Sequence, residues 1–82
     1  MIHPTVHLNG TSKDTLIEQW CTASSALLDA ERAIQQCAPN ARDYYPQGAE
    51  AFVAALDEYR KHAAALFAAR QYLETLIEHC DA

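Results

Sequence analysis

Glycine, basic residues and paired cysteines are all scarce in this chain, and each shortage excludes something. Two glycines in 82 residues, beside many alanines, favour helix and argue against disorder. Six Lys and Arg face eleven Asp and Glu, giving a net charge of −5. Long nucleic acid is met by a basic stripe, which this composition does not supply. Cys21, Cys37 and Cys80 are odd in number and far apart, without a C-x-x-C pair or zinc-ligand spacing. They read as reduced core residues of a cytosolic protein. No apolar run approaches the length of a membrane span, and "MIHPTVHLNG" lacks the regions of a signal peptide. Asn9-Gly10-Thr11 is then read as a turn before a helix.

Catalytic patterns are missing as well. There is no G-x-S-x-G, no glycine-rich phosphate loop and no H-E-x-x-H. Glu58 and His62 stand one helical turn apart, a spacing common on solvated faces. His3 and His7 are too far apart in an extended arm to share a metal. The expectation is a protein that is not an enzyme and has no catalytic residues, metal or cofactor.

What the chain does have is helical periodicity. A first helix is expected over residues 12–37, opened by Thr11 and Asp14 in a capping-box-like spacing and ended before Pro39. A second is expected over 46–80, with Pro46 in its first turn. Leu16, Trp20, Ala23, Leu27, Ala30, Ile34 and Cys37 alternate steps of four and three. So do Phe52, Leu56, Tyr59, Ala63, Leu66, Arg70, Leu73, Ile77 and Cys80. These are the seams of helices packed antiparallel, as in a coiled coil. Folding at the loop sets Ile34 opposite Leu56, Ala30 opposite Tyr59, Leu27 opposite Ala63 and Ala23 opposite Leu66. Arg70 then falls opposite Trp20. Two readings stand there: a cation–π contact whose tip reaches Glu74, or a cation held in a cleft for an anionic ligand.

The predicted fold class is all-α: one domain, an antiparallel two-helix hairpin with a short extended N-terminal arm at residues 1–11. Ile17, Cys21 and Leu28 flank one seam, and Val53, Phe67 and Leu76 the other. A chain this short buries a modest core, so this second stripe implies a dimer or higher oligomer forming a helical bundle. In the arm, Ile2, Val6 and Leu8 alternate with His3, Thr5 and His7. The arm is expected to cover Leu76, Ile77 and Cys80, on its own chain or a partner's.

The connecting stretch "APNARDYYPQG" is richer than a turn needs. Pro39, Asn40 and Pro46 are accounted for as turn residues, and Asp43 as the acceptor of an Asx-type turn. Tyr44 and Tyr45 cannot both point inward from adjacent positions. One ring, with Arg42, should be exposed, a pairing that suits recognition of carboxylate or phosphate. The other reading is a plain connector, with Phe52 beneath one tyrosine. As a ligand site the loop would consist of Arg42, Tyr44 and Tyr45, with Arg32 the nearest further cation. Asp14, Glu18, Glu74, Glu78 and Asp81 gather at the opposite end and repel anions.

The segments "HPTVHLNGTS", "PNARDYYPQG" and "AFVAALDEYRKHAAAL" resemble a group of short proteins encoded by bacteriophages and prophages. The likeness runs over nearly the whole chain, and residues 8–12 and 40–48 are its distinctive blocks. It implies a bacterial cytoplasm during infection or lysogeny. It also implies a counter-defence role by binding, either sequestering a small anionic, nucleotide-like signal or inhibiting a host defence protein. The alternative is a structural or assembly module without a ligand. The resemblance transfers no functional residues.

Overall fold

A computed structural model describes residues 1–81, the last of them by backbone alone; Ala82 and the Asp81 side chain, counted above in the acidic end, lie outside the described residues. Two α-helices, α1 (Lys13–Gln35) and α2 (Ala49–Asp81), pack against each other, with short 3-10 turns at Ala41–Asp43 and Tyr45–Gln47 between them. No strand occurs among the described residues.

Local chemistry sets the helix ends. Ser12, not Thr11, is the N-cap: its backbone is extended and its hydroxyl oxygen accepts the Thr15 N–H at 3.2 Å. That satisfies one of the N–H groups a helix start leaves free. Asp14 remains in the first turn, where its charge complements the helix dipole. At the other end the ladder tightens before Pro39, with Gln36 N–H on Ala33 O at 3.1 Å and Cys37 N–H on Ile34 O at 2.9 Å. α1 therefore stops two residues short of the expected Cys37.

Pro46 does not open α2. It sits in the second 3-10 turn, and Gly48 follows at φ 99°, ψ 164°. No L side chain is comfortable there, although nothing lies within 4 Å of where a Cβ would be. The helix can start only after that glycine, at Ala49.

Every position of the expected second seam, from Phe52 to Cys80, is half-buried. In α1 the half-buried positions are Leu16, Ile17, Trp20, Ser24, Leu27, Leu28, Glu31 and Ile34, while Ala23, Ala30 and Cys37 are exposed. The expected stripe is thus right at Leu16, Trp20, Leu27 and Ile34, one residue early at Ala23 and Ala30, and wrong at Cys37, which lies past the helix end. Alanine explains the slip: it adds little burial energy, so it does not compete to face inward.

The lengthwise register also differs from the expected one. Arg70 meets Glu31, not Trp20. Glu31 lies three turns from Trp20, about 16 Å along the axis at the α-helical rise. An arginine and a glutamate cannot bridge that offset, so α1 is displaced along α2 and its C-terminal end abuts the middle of the longer helix. The 62 Å long axis exceeds the roughly 50 Å that α2 spans by itself, consistent with such an offset. The loop occupies the place α1 vacates, over the first turns of α2.

The result is an open structure. Leu76, 4% exposed, is the one buried hydrophobic residue among those described, and Trp20 is only half-buried. The radius of gyration is 18.4 Å, against about 12 Å for a compact chain of this length.

Candidate functional site

The loop is built from its own hydrogen bonds. The Asn40 side-chain oxygen accepts the Arg42 N–H at 3.1 Å, so the Asx turn belongs to Asn40 and not to Asp43. Asp43 N–H reaches Asn40 O at 3.0 Å, Tyr44 N–H reaches Ala41 O at 3.0 Å, and Gln47 N–H reaches Tyr44 O at 2.9 Å. Tyr44 turns inward and lies 6.3 Å from the Phe52 ring, tilted by 51°. Tyr45 turns outward and is 73% exposed. A closed turn thus holds one tyrosine as a lid on α2 and presents the other to solvent.

Arg42 is exposed three residues before Tyr45, and its guanidinium has no ion pair among the described residues. Arg32, also exposed, sits in the last turn of α1. Arg32 lies on α1, Arg42 and Tyr45 on the two 3-10 turns and Tyr44 between those turns, and no hydrogen bond joins Arg32 to the other three. Elsewhere on α2, Lys61 is paired with Asp57 at 3.3 Å.

Arg70, the fifth candidate, is engaged internally. Its Nε and Nη2 both donate to Glu31, the latter at 3.2 Å, and Nη1 donates to Glu74 Oε1 at 2.8 Å. The hydrogen bonds it donates to Glu31 and then to Glu74 hold its pKa above the ordinary arginine value. The expected contact with Glu74 is present. The cation–π partner is Phe67, with the guanidinium carbon 5.3 Å from the ring centre, in place of Trp20. Two carboxylates already neutralise this cation, and it offers little to an anionic ligand. Glu31 was the residue missed: a three-four count starting at Ile17 reaches it, whereas the count from Leu16 lands on Ala30.

The arm does return to the end of α2, but through its polar side. His3 stacks on His79 at 3.8 Å with planes 14° apart, one turn beyond Leu76. Ile2 and Leu8 are 93% and 99% exposed, the reverse of the expected orientation. Gly10 N–H closes the arm on His7 O at 3.1 Å, the turn expected at Asn9-Gly10. Its absent Cβ leaves room for the His7 ring, which would otherwise lie 2.8 Å away.

Burial of His3, then the nearby His79 and the Met1 amino group, lower the His3 pKa below the ordinary 6.5. A lowered pKa means that the docked arm prefers neutral His3. The contribution of neutral His3 to docking is therefore fully present above pH 6.5 and is lost as pH falls below that value through the lowered pKa. An NMR titration should show His3 protonating below the unfolded value while the stack opens. A His3 that titrates at 6.5 or higher with the arm still docked contradicts this.

Among the described residues no three His, Cys, Asp or Glu converge as a metal site, and no helix is long and apolar enough to cross a membrane. Glu58 and His62 are both exposed and make no hydrogen bond to each other. All three cysteines are free, but Cys21 and Cys37 are exposed and only Cys80 is half-buried, which corrects their reading as core residues. The chain matches no protein-family model, no curated protein and no solved structure.

Proposed function

We propose that this is a non-enzymatic, phage-type counter-defence protein, assembled as a dimer or higher oligomer, that works by binding in the host cytoplasm. Its ligand is a small anionic, nucleotide-like signal, met at the loop by Arg42 and Tyr45 with Tyr44 as support. The observation that carries this reading is the pairing of an exposed ring and an unpaired guanidinium on a hydrogen-bonded loop. A guanidinium offers a fork to phosphate, and an exposed tyrosine offers a face to a base, worth about 1–3 kcal/mol per stacked base. The phage resemblance supplies the biological setting.

A second reading, an assembly module without a ligand, is favoured by a separate observation: the hairpin alone buries one hydrophobic residue among those described. Purified protein from bacterial lysate separates the two. Denaturing it should release an ultraviolet-absorbing ligand. An Arg42→Ala/Tyr45→Ala variant, with Tyr44 kept because it packs on Phe52, should release none while retaining helicity and oligomer size. Equal release from that variant overturns the loop site. If wild-type protein releases no ligand, the assembly module replaces the binding reading, and capture of one specific host protein through the loop would point to direct inhibition instead.

A further inference from the structure

The isolated hairpin exposes 6151 Å². A compact monomer of 9.1 kDa exposes about 4,900 Å² by the usual scaling of surface with mass. The surplus, about 1,200 Å² per chain, exceeds the roughly 800 Å² that each partner buries in a standard interface. A second copy is the occupant that this chain's own pattern specifies.

On the outer flank of α2, Val53, Arg60, Phe67 and Glu74 recur every seventh residue and so share one stripe. Val53 and Phe67 are exposed hydrophobics, and Arg60 is exposed without an ion pair among the described residues. Glu74 is half-buried and gives one oxygen, Oε1, to Arg70. The stripe is self-complementary about its centre. A two-fold axis across Phe67 places Arg60 of each copy opposite Glu74 of the other, seven residues to either side. The arm completes the symmetry. It docks at His79, twelve residues beyond Phe67 or about 18 Å, and Val53 lies about 21 Å away on the other side.

The arm's orientation fits the same contact. His3 points inward with a buried Nδ1 that has no hydrogen-bond partner, while Ile2 and Leu8 are left in water. For a lone chain that is the costly way round, because aliphatic burial is the main driving force. It becomes favourable when another surface covers the aliphatic side.

We infer that two copies pair antiparallel across the Val53–Arg60–Phe67–Glu74 stripe, with the Ile2 and Leu8 face of each arm covering Val53 of the other. This rests on the oligomeric part of the proposed function and is independent of the loop site. Isologous pairing makes each substitution count twice. Leu8→Asp, Val53→Asp and Arg60→Glu alter side chains that the single hairpin leaves exposed, so its helicity should be unchanged. Each should raise the dissociation constant of the pair by about a hundredfold or more in sedimentation velocity. In oxidised Phe67→Cys protein, peptide mapping should find a disulfide joining position 67 of both copies.

The results separate the two claims. A wild-type oligomer whose mass survives all three substitutions, without a disulfide at position 67, overturns this surface and leaves oligomerisation standing. A wild type that sediments as a single chain at about 100 μM overturns both, since a standard interface holds well below that concentration.

Discussion

Leu76→Asp is expected to abolish the cooperative thermal transition, and Leu76→Ala to lower stability by about 2–5 kcal/mol. A chain of this size has roughly 4–12 kcal/mol to lose. Leu76, 4% exposed, is the one buried hydrophobic residue described, three residues before the His79 ring on which the arm docks. Truncating it removes buried aliphatic surface and leaves a cavity at the most enclosed position described. Aspartate adds a charge with no partner in that enclosure, a penalty the remaining half-buried contacts cannot offset. Circular dichroism melts of both variants check this. A Leu76→Ala transition within about a degree of wild type would mean that this enclosure carries little of the fold.

The second large effect concerns Arg70. Glu31→Leu and Arg70→Met should each destabilise the hairpin more than the Glu31→Leu/Arg70→Met double replacement. The pair joins α1 to α2 from inward positions, each side chain less than a fifth exposed. Removing one partner strands the other charge, whereas replacing both by apolar groups removes that penalty. In the single Glu31 variant, Glu74 keeps one hydrogen bond to the guanidinium, so the loss should be smaller than for Arg70→Met. A double-mutant cycle with urea melts reads the coupling directly. Additive losses would show that the pair is incidental to the packing.

These two positions also show what the sequence could and could not yield. On α2 every expected seam position is half-buried, because Phe52, Leu56, Tyr59, Leu66, Leu73 and Ile77 are large and regularly spaced, yet the most buried residue is Leu76, expected on the flank. In α1 the signal was diluted. Ala23 beside Ser24, and Ala30 beside Glu31, leave the inward face undecided until a partner such as Arg70 selects Glu31. The lengthwise offset was not legible at all, since a heptad count fixes which face packs and not where along the axis it meets its partner. The loop accommodates that offset, its 3-10 turns lying over the first residues of α2. The loop itself was read correctly in its main feature: one tyrosine over Phe52, the other exposed with Arg42. The arm was placed at the right end but inverted, because alternation ranks faces by hydrophobicity and ignores the stacking of His3 on His79.

Native mass spectrometry of protein purified from bacterial lysate is the most direct test of the central claim, that this hairpin works through association and not alone. Ions are expected at two or a higher multiple of the 9.1 kDa chain, carrying added mass of nucleotide size that the Arg42→Ala/Tyr45→Ala variant lacks. A bare 9.1 kDa species across micromolar concentrations would contradict that claim.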